Sequence, residues 1–158
     1  MIRILFICHS NICRSPMAEF VMKDLVQQEG LSEQFYIASA ATTTEGRGEP
    51  VYPPARRTLA EHGLSCKGKT ARVMNRKEYG EWDLLIGMDS ANLRGMRYIF
   101  GGDPDGKFHL LMDYTDHPRD VADPWYTDDF EATWRDVTEG CCGLLKALKA
   151  EGKVGKKE

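Results

Sequence analysis

FICHSNICRSP, residues 6–16, sets an apolar run against a polar stretch that ends in Ser-Pro. Upstream, Ile2 to Ile7 (IRILFI) is short and nearly continuous in apolar character, the pattern of a strand buried on both faces. Downstream, Ser15-Pro16 reads as a helix start, with Ser as N-cap and Pro at N1. Met17, Phe20, Val21 and Leu25 then recur at helical spacing until Gly30. Residues 8–15 are therefore predicted to be a loop joining a strand to a helix.

The alternation continues along the chain. Phe35 to Ala38 reads as a second strand, Pro53 to His62 as a helix stopped by Gly63, and Asp83 to Met88 as a third strand. Residues 90–98 are helical, Phe108 to Leu111 form a weaker strand, and a long last helix runs from about Asp128 to Lys149. This order predicts an α/β fold: a single-domain three-layer sandwich whose four-stranded, mainly parallel sheet carries helices on both faces. With 158 residues the chain suits one domain, drawn at residues 1–150, followed by a basic flexible tail at 151–158. Residues 39–52 and 112–127 are long and irregular, and in such a sheet ligands bind beyond the carboxyl ends of strands.

Composition narrows the partners. A net charge of −3 gives no global basic field for nucleic acid or an anionic membrane. The opening apolar run is far shorter than a membrane span, and Met1-Ile2-Arg3 is no signal peptide, so a cytoplasmic location is expected. Five cysteines, with Cys141 and Cys142 adjacent, argue for reduced thiols rather than a disulfide framework.

A loop that enters a helix offers unpaired N–H groups and the positive end of the helix dipole, and both favour an anion. Cys8 opens that loop, where a thiolate is stabilised, and Arg14 brings a planar fork that matches two oxygens of a phosphate-like group. Cys-x5-Arg thus joins a nucleophile to an oxyanion clamp. Zinc on Cys8, His9 and Cys13 is the competing reading, but no second Cys/His pair at finger-like spacing supplies a fourth ligand. No metal and no other cofactor is expected. Cys66, Cys141 and Cys142 read as packing residues.

The stretch CHSNICRSPMAE closely resembles the phosphate-binding loop of the low-molecular-weight protein tyrosine phosphatases. The resemblance runs on through Ser39-Ala40-Ala41-Thr42, Gly87-Met88-Asp89 with Asn92-Leu93, and Val121-Ala122-Asp123-Pro124-Trp125-Tyr126. It implies that Cys8 attacks phosphorus, that Arg14 and the amides of residues His9, Ser10, Asn11, Ile12 and Cys13 hold the oxygens, and that Ser15 donates to the thiolate. It implies that Asn11 orders the loop together with Ser39, and that Cys13 forms a reversible disulfide with Cys8. Locally Asp123-Pro124 is a turn pair; the resemblance makes Asp123 the general acid and base, with Trp125 and Tyr126 at the mouth of the cleft. A phosphotyrosine protein or a small aryl phosphate is the implied partner, and the chain is expected to be a monomer or weak dimer.

Three positions depart from the family pattern. Ser10 stands where Gly is usual, and a positive φ there would strain it. Lys69 replaces a histidine that supports the loop asparagine, so that bond is expected to be lost. Glu45 lies near the place of an aromatic wall, where an acid weakens ring stacking and repels acidic phosphopeptides. Alternatives on the same scaffold are a phosphoarginine phosphatase, which tends to carry Thr where this chain has Ile12, and a thiol-coupled arsenate reductase. The latter needs two cysteines after the third strand, and there are none between Cys66 and Cys141. A catalytically weak phosphate-binding module is the third.

Overall fold

The computed structural model describes residues 1–154. Strands β1 (Ile2–Cys8), β2 (Phe35–Ala41), β3 (Leu84–Gly87) and β4 (Phe108–Leu110) form one sheet in the order β2-β1-β3-β4. Every pairing in it is parallel, so the mainly parallel sheet expected is wholly so among the described residues. Helices α1 (Arg14–Gln28), α2 (Pro53–Glu61), α3 (Ser90–Phe100), α4 (Pro124–Thr127) and α5 (Phe130–Ala150) complete the layers. No helix among the described residues is long and apolar enough to cross a membrane.

β1 shows why its sequence lacks polar breaks. Ile4, Phe6 and Cys8 point into the core beneath α1 and α5, while Leu5 and Ile7 join Leu85 and Met96 on the α3 side. Burying each large side chain completely is worth roughly 1.5–3 kcal/mol, so the central strand is held from both faces. On the far side of the core α5 lies directly on the turn at Leu111–Tyr114: a Cβ on Gly143 would sit 2.0 Å from the Tyr114 carbonyl oxygen.

Several boundaries move for tertiary reasons. β2 runs on to Ala41 because Ser39, Ala40 and Ala41 pair with Phe6, Ile7 and Cys8, a continuation that small and polar residues concealed. The last helix begins at Phe130 rather than about Asp128 and is preceded by a short helix that was not expected: Asp128 takes a left-handed φ of 57°, closing α4, and Asp129 caps α5 by accepting the Ala132 N–H at 2.9 Å. Ser15 is not the N-cap of α1. That position belongs to Cys13, with no side-chain cap, and Ser15 lies inside the first turn with its hydroxyl engaged elsewhere. Beyond α5 the chain turns through the exposed Glu151, Gly152 and Lys153, and Val154, inside the segment drawn as a tail from residue 151, is buried against the core. Residues 155–158 lie outside the described residues.

Candidate active site

From β1 the chain passes through α1 to β2 on one side of the sheet, and later enters β3 on the other. A crevice therefore opens between the carboxyl ends of β1 and β3, the usual ligand position in such sheets. Cys8 ends β1, and Asp89 follows β3 as the N-cap of α3.

The loop between Cys8 and α1 is clamped from outside. Its carbonyls accept bonds from the segment after β2: Thr42 N–H to Cys8 O at 3.1 Å, Thr43 N–H to His9 O at 3.2 Å, and Tyr52 N–H to Ile12 O at 2.9 Å. Gly46 presses so closely that a Cβ there would lie 2.7 Å from the Ser10 carbonyl oxygen. The left-handed residue in the loop is Asn11, at φ 59°, a conformation asparagine tolerates better than most side chains. Ser10 is not at positive φ, so the strain expected of it does not arise. A curl whose carbonyls are tied outward, entering a helix, suits an anion by its amides and its dipole.

The reactive groups converge inside this curl. Cys8 is 4% exposed, and its Sγ lies 3.0 Å from Ser15 Oγ. Arg14 is 3% exposed; its Nη1 donates to Asp89 Oδ2 at 2.6 Å and to the Val121 carbonyl at 2.8 Å, and its Nη2 lies 3.5 Å from Asp123 Oδ2. Burial opposes the guanidinium charge, but Cys8, Asp89 and Asp123 outweigh it and hold Arg14 charged more firmly than usual. Asp123 belongs both to a turn and to the cleft wall: Oδ1 caps α4 by accepting the Trp125 N–H at 3.0 Å, and Oδ2 faces Arg14. Cys13 is buried beside Cys8, and burial, then the neighbouring Cys8 and Asp123, push its thiol up to about 12 against the weaker pull of Arg14. It stays protonated at neutral pH. Both thiols are free.

A cleft of about 520 Å³ leads to these groups, lined by Cys8, His9, Ser10, Ile12, Cys13, Arg14, Glu45, Gly46, Glu49, Asp123, Trp125 and Tyr126. Trp125 and Tyr126 stand out from the core, 57% and 84% exposed, and Trp125 rests on Tyr52 with ring centroids 5.0 Å apart. Glu45 stands on the rim and meets His9 Nε2 at 2.6 Å, so a carboxylate and an imidazole occupy the place of an apolar wall. Among the described residues no group of three or more His, Cys, Asp or Glu side chains is placed to hold a metal ion.

Behind the loop Asn11 donates to Ser15 Oγ at 2.7 Å and Ser39 Oγ at 2.9 Å, and accepts the Arg72 N–H at 3.2 Å. Ser39 donates to Glu19 Oε1 at 2.6 Å, and Lys69 Nζ donates to the Ser39 carbonyl at 3.0 Å while lying 3.4 Å from the same Glu19 oxygen. Lys69 thus does not touch Asn11, but the loop asparagine keeps its support through Ser39 and Glu19. Sequence reading gave no role to Glu19 or Asp89, although both lie in quoted motifs, because their partners are distant in the chain. Nothing local marked Glu49, Gly46 or Tyr52. Cys66 and Cys141 are buried away from the cleft, whereas Cys142 is exposed on α5.

The family model described as Low molecular weight phosphotyrosine protein phosphatase matches residues 3–154. The low molecular weight protein-tyrosine-phosphatase YfkJ of Bacillus subtilis is 33% identical over 153 residues, covering 96% of this chain and 98% of its own. The crystal structure of YfkJ superposes with a TM-score of 0.91 at 34% identity, over 96% of each chain. A Drosophila arginine phosphatase has the same fold, with a TM-score of 0.84 at 26% identity over 92% of this chain and 97% of that one. Together with the loop, its arginine and the aspartate facing it, these matches place the chain in the low molecular weight phosphotyrosine protein phosphatase family.

Proposed function

We propose that this protein is a protein tyrosine phosphatase working through a cysteinyl-phosphate on Cys8. The observation that carries the reading is one cleft holding Cys8 with Ser15 at 3.0 Å, the buried Arg14 and, 3.5 Å from its guanidinium, Asp123. Cys8 Sγ attacks phosphorus as the bond to the tyrosyl oxygen breaks, and Asp123 gives that oxygen its proton. Arg14 and the loop amides of residues 9–13 hold the three remaining oxygens, where charge is spread in the transition state. Water then attacks phosphorus, Asp123 takes a proton from it, and the S–P bond breaks to release phosphate and the thiolate, which the Ser15 hydroxyl stabilises. No step calls for a metal.

Trp125 and Tyr126 stand at the mouth as faces for the substrate ring, and Glu45 and Glu49 make the entrance acidic, which favours substrates with cationic rather than acidic neighbours. Cys13, protonated and next to Cys8, is poised to form a disulfide once a peroxide has oxidised Cys8 to the sulfenic acid and been reduced to water, the Cys13 thiol then displacing the sulfenic oxygen as a second water. The two free thiols suit a reducing cytoplasm, and a monomer or weak dimer suffices because the site is complete within one chain. Cys8→Ser tests the core of the reading: phosphotyrosine peptide turnover disappears under reducing conditions while vanadate still binds. Substantial residual turnover would remove Cys8 from the mechanism, and turnover of phosphoarginine in preference to phosphotyrosine would reassign the substrate.

A further inference from the structure

Hydrogen bonds have direction, and in the buried chain behind Cys8 each direction is forced by the one before it. A carboxylate only accepts, so the Ser39 hydroxyl donates to Glu19 Oε1 at 2.6 Å. Ser39 Oγ is left with lone pairs and accepts from Asn11 Nδ2 at 2.9 Å. Asn11 cannot turn its amide over, because Oδ1 accepts the Arg72 backbone N–H at 3.2 Å. Its amino group also donates to Ser15 Oγ at 2.7 Å, and the Ser15 proton is left to face Cys8 Sγ, 3.0 Å away.

The sequence of donors starts from the charge on Glu19, a residue 4% exposed. Two ammonium groups serve it. Lys23, on an exposed side chain, reaches Oε2 at 2.6 Å, and Lys69, whose side chain is 13% exposed, lies 3.4 Å from Oε1, the oxygen that receives the Ser39 proton. We propose that Lys69 is a positioning residue: by bridging the Ser39 carbonyl and Glu19 Oε1 it holds that oxygen on the Ser39 hydroxyl, and so sets the hydrogen-bond directions that end with the Ser15 hydroxyl on Cys8. The role rests on Cys8 being the nucleophile. Lys69 faces Glu19 and Lys23 on α1 and Arg72 on its own segment; burial lowers its ammonium below the usual range and Glu19 pulls it back up, while Arg72 and Lys23 add to the lowering. Without that cation Glu19 is drawn by Lys23 alone, through Oε2, and Oε1 is no longer held on the Ser39 hydroxyl. A Ser39 hydroxyl that swings away from Oε1 turns its proton toward the amino group of Asn11, donor against donor, and Asn11 and Ser15 lose their fixed aim.

The test reads the thiol directly. In the full-length Lys69→Met and Lys69→Gln proteins, iodoacetamide labelling of the Cys8 peptide is followed by mass spectrometry against pH, with no substrate present. Both profiles move to higher pH, by about one unit, and kcat/KM on an aryl phosphate falls about tenfold, in line with a weakened bond to a charged group. Lys69→Arg, which retains the charge, restores most of both. Lys69→Gln keeps a donor for the Ser39 carbonyl and decides the matter if Lys69→Met fails to fold. A Lys69→Gln profile that coincides with the wild type, or a Lys69→Arg profile as displaced as that of Lys69→Gln, overturns the proposal. A wild-type protein that labels at Cys8 yet turns over no phosphotyrosine would instead overturn the phosphatase reading and leave this comparison standing.

Discussion

Asp89 divides its two carboxylate oxygens between two donors that only the fold brings together. Oδ2 accepts Arg14 Nη1 at 2.6 Å, and Oδ1 accepts the Asn92 N–H at 2.8 Å to cap α3. An amide has one oxygen, so Asp89→Asn must give up one bond or the other, and Asp89→Ala gives up both. The cap is worth about 1 kcal/mol. Removing one partner of a buried ion pair costs about 3–5 kcal/mol. Asp89 is itself one-fifth exposed, and Arg14 keeps the Val121 carbonyl at 2.8 Å and Asp123 at 3.5 Å, so the cost lies below that range. The expected losses are about 2–3 kcal/mol for Asp89→Asn and about 3–4 kcal/mol for Asp89→Ala. At about 2–4 °C per kcal/mol for a chain of this size, Tm falls by about 4–12 °C and about 6–16 °C. Arg14 is also less firmly aimed, and kcat/KM on an aryl phosphate should drop about 10–100-fold in both variants. Urea unfolding at neutral pH, with the rates measured on the folded fraction, checks both numbers. An Asp89→Asn protein as stable as the wild type, or an Asp89→Ala protein no less stable than Asp89→Asn, would refute the two-oxygen reasoning.

Asp123→Asn keeps an oxygen for the Trp125 N–H but has no acidic proton to give, so kcat/KM for phosphotyrosine should fall roughly 10²–10⁴-fold. An activated aryl phosphate, whose phenoxide leaves without help, should lose much less; equal losses across a range of leaving-group pKa would reduce Asp123 to a turn residue. Glu78 carries a pH prediction: burial opposes its charge, but bonds from Arg72, the Asn75 N–H and Trp82 outweigh burial and hold its carboxyl below the usual range. A folded value below the unfolded one, about 4.3, means that its contribution is present above that pH and is lost as pH falls through the folded value. The stability gap between wild type and Glu78→Gln in urea should therefore be constant from pH 7 to 5 and begin to shrink below about pH 4; a gap that does not shrink at all as the pH falls below that point would show that the charge is not the stabilising feature.

The local order of strands and helices could be read from residues alone wherever an element announces its own period or its own stop. The unbroken Ile2 to Ile7 run, the helical spacing from Met17 to Leu25 and the glycines that end helices do this, and the Cys-x5-Arg loop takes its meaning from lying between two such elements. What residues alone could not give were features created by distant partners. Ser39 to Ala41 is strand because β1 pairs with it, and Ser15 is bound to the thiol rather than capping because the loop curls back over α1. Lys69, read locally as the loss of a support, proves to be joined to Asn11 through two residues some 30 and 50 positions before it. Asp89 reaches across 75 residues of chain to hold Arg14. Periodicity and turn chemistry act between near neighbours, so they are written in the sequence. The aim of a buried charge depends on which groups the packed core sets around it, and only the tertiary structure decides that.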